Sequence, residues 1–586
     1  MMMKGAYGLL DGVEMPMRDG TILRADLWLP GGDGAWPVLL QRTPYRREDP
    51  FGTQFISGME TMAALRRGYA VMLQDTRGRY GSDGDFDPFA REAGDGADTI
   101  AWLRGQRFCD GRVAMFGASY VGATQVLAAA SSPPGLVAVS PFLTTARHGD
   151  TWMYRGGALE LAFVLEWLFE ALGPEDLSRR YDELDPMATG RAHDLLLAFQ
   201  RDHRAAFQRL PILDSALRDL APYMEHWLDP DRVAASGGDR EGLDALATCA
   251  PAMLVTGGWN DIFVEGSIEL FEACRARQSS RDRLILGPWS HGNISDWQGD
   301  EWLGYGAAAA DLPAEQLAFF DATLAGREPD GPPVRYFRSG SNTWHAGTAW
   351  PLPGTEPWAL HLDGDGLSAT PPATGWSRSY ASDPLDPVPT VGGANFLPGL
   401  LQGRNSGPKD QAPVEGRPDV LVFTSAPLQR DVEITGLVVA HLWVASSAPT
   451  CDWCVKLCDV EPGGLSRSRV DGILRWANPS PAMERSVEVV VRLGHVSHLF
   501  RRGHRLRLHV ASSNFPRFDR NPQSGTPSAL ARLQDLATAQ QIVVGGAERP
   551  SRVVLPVVTA PSLGASSLSA VSATLGTGIS AAGVPS

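Results

Sequence analysis

The sequence predicts an α/β protein with a parallel sheet, a helical insertion within it and an all-β unit behind it. With 586 residues, the chain is too long for a single hydrophobic core. Short apolar runs alternate with helical stretches over residues 37–140 and again over 252–324, a pattern typical of a parallel sheet covered by helices. From about residue 332, short strands, prolines and turns indicate an all-β sandwich, jelly-roll-like in type.

The first elements of the chain are a hairpin followed by strands that alternate with helices. In the hairpin, residues 13–30, Asp19-Gly20 is expected to form a two-residue turn. Strands are predicted at residues 37–42, 69–74, 113–116 and 136–140, and helices at 61–67, 97–104 and 120–130. In such a sheet the active crevice lies at the carboxyl ends of the strands.

The chain changes character after the strand that ends at residue 140. From residue 144 to 240 the pattern is helical and rich in large apolar side chains, as expected for a lid over the carboxyl edge of the sheet. Strands resume at 252–258 and 283–287, and a helix at 313–324 is expected to close the unit. The predicted units are the first part of the core (1–143), the lid (144–241), the second part of the core (242–331), the β domain (332–560) and a low-complexity tail (561–586).

Charge and composition narrow the class of protein. The net charge of −15 argues against nucleic acid or an anionic membrane surface as partner. The first eight residues lack the apolar core of a secretory leader, and no later window approaches about 20 uninterrupted apolar residues. Six cysteines are few for this length and fit a reducing compartment. The expected location is therefore the cytoplasm.

One group of cysteines has spacings that occur in metal sites. Cys451, Cys454 and Cys458 lie in a segment that alternates like a strand, with Trp453 on one face. No second cysteine pair lies nearby in the sequence, so the three are interpreted as structural thiols. No metal or other cofactor is expected.

The stretch Val113–Gln125 carries the first chemical signal. A short apolar strand ends at Phe116 and a helix is predicted from Tyr120, so Gly117-Ala118-Ser119 falls on a strand-to-helix turn. Glycines relieve the crowding in such a turn, and the N–H of Tyr120 is left beside a helix N-terminus, where it can stabilise an oxyanion. The pattern departs from G-x-S-x-G because the second glycine, Gly122, comes one place late.

A serine nucleophile needs a base and an acid, and the chain supplies both in order. In α/β-hydrolases the triad runs Ser, then Asp or Glu, then His, each just beyond a strand. Asp261 and His291 follow two consecutive core strands in that order. Asp282 precedes its strand and Asp296 lies beyond the histidine, so both rival acids are unsuitable. The sequence therefore predicts an α/β-hydrolase core with Ser119, Asp261 and His291 as its triad.

Several motifs together resemble a known family. The chain is similar to the cocaine-esterase branch of the family that also includes X-Pro dipeptidyl-peptidases and α-amino-acid ester hydrolases. The matching stretches are Gln41-Arg42-Thr43-Pro44-Tyr45, Gln74-Asp75-Thr76-Arg77-Gly78 through Ser82-Asp83-Gly84, Cys109-Asp110-Gly111, Gly117-Ala118-Ser119-Tyr120-Val121-Gly122, Gly258-Trp259-Asn260-Asp261, Gly287-Pro288-Trp289-Ser290-His291, Asp471-Gly472-Ile473-Leu474-Arg475 and Ser512-Ser513-Asn514-Phe515-Pro516-Arg517.

The resemblance implies roles that the residues alone do not give. The family has a similar G-x-S-Y-x-G elbow, which accounts for the late glycine. It also implies that the Tyr45 hydroxyl helps to hold the oxyanion together with the backbone N–H of Tyr120, since a phenol is a neutral donor. Asp75 and Arg77 are expected to form a structural ion pair behind the site.

The substrate pocket is predicted from aromatic residues. Trp152 and Trp167 lie in the lid and Phe263 lies close to Asp261, so the three are candidates for an acyl pocket. Aromatic side chains on helices are more often simple core, and this alternative stays open. The β domain is expected to brace the catalytic unit, with residues 395–397 reaching over it.

The predicted function is hydrolysis of carboxylic esters, or activated amides, through an acyl-enzyme. One alternative is an X-Pro-type peptidase or α-amino-acid ester hydrolase, which would need carboxylates such as Glu160 or Glu166 to capture an ammonium group. A second alternative is an acyltransferase with the same triad. The expected partner is a small-molecule ester or amide, not nucleic acid or membrane, and a homodimer is left open.

Overall fold

The computed structural model describes residues 7–49, 59–235, 238–308, 311–397, 405–479, 481, 483 and 485–559. The predicted tail, residues 561–586, lies outside the described residues. Within these ranges no helix combines the length and the apolar character that crossing a bilayer requires.

Ten strands of the described chain form one sheet, which carries the predicted parallel core. The strands up to residue 347, including two small hairpins, are β1 (Gly8–Pro16), β2 (Ile22–Leu29), β3 (Trp36–Thr43), β4 (Ala70–Asp75), β5 (Cys109–Ala118), β6 (Leu136–Phe142), β7 (Tyr154–Arg155), β8 (Ala158–Leu159), β9 (Ala252–Asn260), β10 (Arg283–Ser290), β11 (Trp297–Gln298), β12 (Glu301–Trp302), β13 (Val334–Arg338) and β14 (Thr343–Gly347). The order across the sheet is β1-β2-β4-β3-β5-β6-β9-β10-β13-β14. From β4 to β13 neighbouring strands are parallel, so their carboxyl ends share one edge.

Helices cover both faces of this sheet because successive strand residues point to opposite sides. The α-helices outside the insertion are α1 (Thr61–Arg66), α2 (Glu92–Arg104), α3 (Tyr120–Ala130), α12 (Val264–Arg275), α13 (Tyr305–Ala308), α14 (Leu312–Leu324) and α15 (Ala412–Glu415). In β3, Val38 and Leu40 join a core with α2, α3 and α12, whereas Leu39 joins a core with α1 and α14 on the other face.

The insertion between β6 and β9 is helical, but its first helix begins later than expected. Residues 144–160 contain the β7–β8 hairpin, and helical structure starts only at Leu161. The helical segments are α4 (Leu161–Glu166), a π-helix (Trp167–Leu172), α5 (Gly173–Arg180), α6 (Pro186–Arg201), α7 (His203–Gln208), α8 (Ser215–Leu220), α9 (Met224–Trp227), α10 (Pro230–Ala235) and α11 (Gly238–Leu246). Apolar residues of the segments from α4 to α10 share one buried core with Tyr45 and Tyr120, so the insertion covers the end of the sheet where the predicted site lies.

The described residues from 355 to 558 carry the strands of an all-β sandwich, here called the β unit. Eleven of its described strands are hydrogen-bonded into one network, antiparallel except between β16 and β18. They are β15 (Thr355–Asp363), β16 (Gly366–Ser368), β17 (Trp376–Ser382), β18 (Leu421–Ser425), β19 (Val432–Ser446), β20 (Thr450–Val460), β21 (Ser466–Ala477), β22 (Val487–Phe500), β23 (Arg505–Ala511), β24 (Ala539–Gly545) and β25 (Arg552–Val558). The sandwich is confirmed, and its jelly-roll topology stays a prediction.

Two local expectations were wrong. The first hairpin does not turn on two residues, because Pro16 pairs with Ile22 and the loop spans residues 17–21. The helix Leu312–Leu324 does not close the first sheet either, since β13 and β14 extend its edge beyond β10. The boundary expected at residues 331–332 therefore precedes two strands, β13 and β14, that belong to the first sheet.

A buried ion pair joins the β unit to the catalytic core. Glu265, in the first turn of α12, accepts hydrogen bonds from the backbone N–H of His495 at 2.6 Å and lies 2.9 Å from its Nδ1. Burial opposes ionisation of both groups, but their mutual charge and hydrogen bonds outweigh it, so the pKa of Glu265 is lowered and that of His495 is raised. Among the other nearby charges, Glu272 also raises the pKa of His495, whereas Arg492 lowers it.

This pair predicts a pH-dependent contribution to stability. A raised pKa of His495 stabilises the folded state below the ordinary value of 6.5, and this contribution is lost as pH rises through the folded pKa. The lowered pKa of Glu265 stabilises it above the ordinary value of 4.5 and is lost on acidification. We expect Glu265→Gln to lower the thermal midpoint most between pH 4.5 and 6.5, and progressively less at higher pH.

Glu433→Gln is the matched control for this measurement. Glu433 pairs with Arg338, a cation that does not titrate in this range. Its effect on the thermal midpoint should therefore stay constant from pH 5 to 9. A constant effect of Glu265→Gln over the same range would show that the histidine carries no charge in the folded protein.

Candidate active site

The strand-to-helix turn holds Ser119 in a conformation that is rare for a side-chain-bearing residue. The serine lies between β5 and α3 with φ of +60° and ψ of −129°, a strained geometry found at functional sites. Gly117 has φ of +127°, and a Cβ there would overlap Val121. A Cβ on Gly122 would lie 2.7 Å from Thr144, whose hydroxyl donates to the Ser119 carbonyl at 2.8 Å. The late glycine is therefore required by the close approach of Thr144.

The structure brings the three predicted triad residues together. The distance from His291 Nε2 to Ser119 Oγ is 3.2 Å, and that from His291 Nδ1 to Asp261 Oδ2 is 2.7 Å. Asp261 is fully buried, and Ser119 is 7% exposed. This arrangement can take a proton from the serine and stabilise the resulting imidazolium.

The acid and the base each follow directly after a parallel strand. β9 ends at Asn260 and β10 ends at Ser290, so Asp261 and His291 leave the same edge of the sheet. The Asn260 amide donates to the carbonyl of Pro288 at 2.7 Å and ties the two strand ends together. The second carboxylate oxygen of Asp261 accepts the backbone N–H of Phe263 at 2.5 Å, which fixes the orientation of the acid.

Tyr45 and the Tyr120 backbone lie where an oxyanion hole is expected. Tyr45 follows the end of β3 at the same sheet edge, is 8% exposed, and lies close to the Ser119 side chain. Burial raises the pKa of Tyr45, although interactions with Trp167 and Ser119 lower it, so the phenol stays protonated. The N–H of Tyr120 belongs to the first residue of α3 and needs no partner within the helix.

The side chain of Tyr120 has a separate, structural position. Its hydroxyl donates to Glu92 at 3.0 Å and accepts the backbone N–H of Phe89 at 2.9 Å. Glu92 in turn pairs with the fully buried Arg42 at 2.8 Å. The tyrosine ring therefore anchors the start of α3 to α2, and the predicted oxyanion contact involves only the backbone N–H of this residue.

The three predicted pocket residues are all buried beside the triad, within a larger aromatic cage. The Phe263 ring stacks on that of Trp152, with 4.3 Å between the ring centroids, and lies edge-on to the His291 ring, with 5.3 Å between the centroids. Two residues not predicted as binding residues complete the cage. Phe163 contacts Phe263 at 5.4 Å, and Phe396 of the β unit lies 5.2 Å from the His291 ring. Phe396 stands in the segment 395–397 that the sequence suggested as an overhanging loop.

Trp167 differs from the other cage residues. Its ring stacks on that of Phe163, with 5.7 Å between the ring centroids. Its indole N–H donates to the Tyr45 hydroxyl, with 2.9 Å between the nitrogen and the oxygen. Local sequence patterns could not predict this bond, because the two residues are 122 positions apart. Trp167 therefore contacts both the apolar cage and the predicted oxyanion donor.

The two candidate carboxylates for an ammonium group lie in contrasting surroundings. Glu160 is neutralised by Arg155 at 3.1 Å and Arg517 at 3.4 Å. Glu166 is buried, and its Oε1 has no hydrogen-bond partner in the described part of the chain. Burial and the nearby charge of Glu170 raise the pKa of Glu166 to about 8, so it is mainly uncharged at pH 7.

The ion pair expected between Asp75 and Arg77 is not formed. Asp75 pairs with Arg47 at 2.5 Å instead, and Arg77 pairs with Asp95 at 2.6 Å.

The three clustered cysteines, Cys451, Cys454 and Cys458, are buried along β20. Burial raises the pKa of each thiol, which disfavours the thiolate that metal binding requires.

One carboxylate cluster in the described residues has the spacing of a metal site. Asp11, Asp26 and Glu48 bring one oxygen each within 4.8 Å of one another. Arg47 donates to Asp26 at 2.9 Å and lies 3.4 Å from Glu48. This guanidinium already supplies the positive charge that a cation would bring, so the cluster is not assigned as a metal site.

Comparison with known proteins decides the family. The family model for X-Pro dipeptidyl-peptidase (S15 family) matches residues 19–293, and that for the X-Pro dipeptidyl-peptidase C-terminal non-catalytic domain matches residues 329–554. The chain is also 36% identical over 588 residues to the cocaine esterase of Rhodococcus sp. (strain MB1 Bresler), an alignment that covers 95% of this chain and 100% of that protein. The chain belongs to the S15 family.

Solved structures agree with this S15 assignment. An α-amino-acid ester hydrolase is 27% identical with a TM-score of 0.76, and the match covers 94% of this chain and 96% of that chain. An aminopeptidase from the marine sediment archaeon Thaumarchaeota archaeon is 26% identical with the same TM-score and the same coverage. The predicted family and the predicted combination of an α/β-hydrolase core with an all-β domain are therefore confirmed.

The crowded turn predicts that Gly122→Ala destabilises the protein. The new methyl group would meet Thr144, and overpacking of this kind costs about 1–3 kcal/mol. Chemical denaturation with intrinsic fluorescence measures the loss. Gly94→Ala in α2 is the matched control, because a Cβ there meets no atom within 4 Å. That change should be neutral or stabilise by up to about 1 kcal/mol, and equal effects of the two substitutions would contradict the role of Thr144.

Proposed function

We propose that this S15-family enzyme hydrolyses carboxylic esters through a covalent acyl-enzyme on Ser119. The observation that carries the proposal is the unbroken chain of contacts from Asp261 through His291 to Ser119, at 2.7 and 3.2 Å. Ser119 and Asp261 are buried and the His291 side chain is 12% exposed, so interactions between charges and dipoles are stronger there than in water.

In the first half-reaction Ser119 Oγ attacks the acyl carbon while His291 Nε2 takes its proton. Asp261 accepts a hydrogen bond from Nδ1–H of the imidazole, holds the ring in the required tautomer and stabilises the imidazolium. The Tyr45 hydroxyl and the Tyr120 N–H donate to the oxyanion of the tetrahedral intermediate. Collapse of the intermediate expels the alcohol, which leaves with the proton from His291.

In the second half-reaction water replaces the alcohol. His291 takes a proton from the water as it attacks the acyl-enzyme, and the same two donors hold the second oxyanion. Collapse of this intermediate returns the proton from His291 to Ser119 Oγ and releases the carboxylic acid.

The aromatic cage favours an acyl group with an apolar, aromatic body. The rings of Phe263 and Phe396 lie against the imidazole, and those of Trp152 and Phe163 pack against Phe263. Such rings pack well against another ring. An acyl group with a free α-ammonium would bury a charge among them. Neither Glu160, already paired with two arginines, nor Glu166, with its pKa of about 8, offers that charge a free anion at pH 7.

The α-amino-acid ester hydrolase and the aminopeptidase among the structural relatives make amine capture the second candidate function. Acyl transfer to an alcohol or amine remains a third, because the acyl-enzyme would be the same. We further infer a reducing, cytoplasmic setting from the six cysteines, which all lie in the described residues and form no disulfide. Homodimer formation stays a prediction.

Ser119→Ala is expected to lower kcat by at least about 10⁴-fold, because no other group can form the acyl-enzyme. The thermal midpoint should stay unchanged. Turnover of a 4-nitrophenyl ester and labelling by a fluorophosphonate measure the loss. Retained turnover in the variant would refute Ser119 as the nucleophile.

A pair of acids provides the matched control for the triad. Asp261→Asn is expected to lower kcat by about 10⁴-fold, because the amide stabilises the wrong imidazole tautomer. Asp282→Asn changes an acid at the opposite end of β10, paired with Arg277 at 2.6 Å. Its kcat per folded molecule should equal that of the wild type.

Two esters that differ by one amine separate the candidate functions. We expect kcat/KM for 4-nitrophenyl phenylacetate at pH 7 to exceed that for the phenylglycine ester by at least about tenfold, since the cage leaves the ammonium unpaired. Glu166→Gln should keep this ratio. A preference for the phenylglycine ester that disappears in Glu166→Gln would assign amine capture to Glu166 instead.

A further inference from the structure

Trp167 donates the hydrogen bond that joins the aromatic cage to the phenol of the predicted oxyanion hole. The indole Nε1 and the phenolic oxygen are 2.9 Å apart, and both residues are more than nine-tenths buried. Water is therefore largely excluded from this pair, and a buried hydrogen bond of this kind is directional and strong.

The chemistry of the two groups sets the direction of every proton at this position. An indole N–H is a donor and never an acceptor, whereas a phenol has one proton and can also accept. The Tyr45 oxygen must therefore accept from Trp167, and its own proton must point elsewhere. The Ser119 side chain lies close enough to interact with this phenol, so the proton that is not engaged by Trp167 can be turned toward the reacting atoms.

The backbone holds both partners of this bond in place. Trp167 begins the π-helix that follows α4, and π-helical turns occur frequently at functional sites. The fully buried Arg79 donates from Nε to the carbonyl of Pro44, next to Tyr45, and from NH2 to the carbonyl of Leu172, the last residue of the π-helix, both at 3.1 Å. One guanidinium therefore clamps the tyrosine loop to the helix that carries the tryptophan.

We propose that Trp167 is a positioning residue of the oxyanion hole: its indole N–H fixes the Tyr45 hydroxyl so that the phenolic proton faces the developing oxyanion. The inference rests on the proposed function of Tyr45 as an oxyanion donor. Without Trp167 the hydroxyl can rotate about its C–O bond, and part of the population points its proton away from Ser119. The indole bond also polarises the phenol, which makes its proton a better donor.

A purely apolar role for Trp167 makes different predictions. As a wall of the cage, its loss would weaken binding of substrate and transition state alike and raise KM. As a positioning residue, its loss lowers kcat, and only while the Tyr45 hydroxyl is present. Trp152 is the matched comparison, since it is equally buried in the same cage and its Nε1 has no hydrogen-bond partner among the described residues.

The test is a pair of double-mutant cycles on the full-length enzyme with 4-nitrophenyl phenylacetate. One cycle combines Trp167→Phe with Tyr45→Phe, and the other combines Trp152→Phe with Tyr45→Phe. We expect Tyr45→Phe to lower kcat by about 10²-fold, as for loss of one oxyanion donor. Trp167→Phe should lower kcat by about fivefold to twentyfold in the wild type, the worth of about one hydrogen bond, and by less than twofold in Tyr45→Phe. Trp152→Phe should have the same effect in both backgrounds.

The outcomes separate this inference from the proposed function. An equal effect of Trp167→Phe in both backgrounds, or an effect on KM alone, overturns the positioning role while the triad stands. Normal kcat in Tyr45→Phe removes Tyr45 from the oxyanion hole and the inference with it. Turnover that survives Ser119→Ala refutes the proposed function itself. Thermal midpoints within about 3 °C of the wild type are required of each variant, and Trp167→Tyr replaces any Trp167→Phe protein that falls outside this range.

Discussion

The shared edge of the parallel strands is the constraint on which the site depends. β5 ends at Ala118, β9 at Asn260 and β10 at Ser290, and in each case the next residue is a member of the proposed triad. Hydrogen bonding between neighbouring parallel strands sets how far these ends lie apart, and Asn260 fastens two of them directly. Residues separated by more than a hundred positions thus reach hydrogen-bond distance without any dedicated loop.

The remaining parts of the site come from three separate pieces of chain. Tyr45 is carried by the core, Trp152, Phe163 and Trp167 by the insertion, and Phe396 by the β unit. The buried pair of Glu265 and His495 fixes the helix that follows the acid to β22. Catalytic geometry is therefore tied to the packing of the whole molecule, which accounts for the long hydrophobic core shared by the insertion and the elbow.

Local patterns in the sequence were enough to place the elbow, the acid and the base. Glycine spacing around Ser119 reflects a steric demand of adjacent residues, and strand ends can be recognised from short apolar runs. Partners set by tertiary packing could not be predicted in the same way. The pairing of Asp75 with Arg47, the extension of the first sheet by β13 and β14, and the bond from Trp167 to Tyr45 all depend on how distant segments meet. The π-helical register that aims the indole has no sequence signature of its own.

The contact of Phe396 with the imidazole has a consequence for protein engineering. A fragment truncated after the first sheet would retain every atom of the triad, yet the outer face of its base would be open to solvent. A minimal hydrolase therefore cannot be obtained simply by cutting the chain between the first sheet and the β unit. The β unit contributes to the site although the proposed nucleophile, acid and base all follow strands of the first sheet, and a chimera would need to keep both parts together.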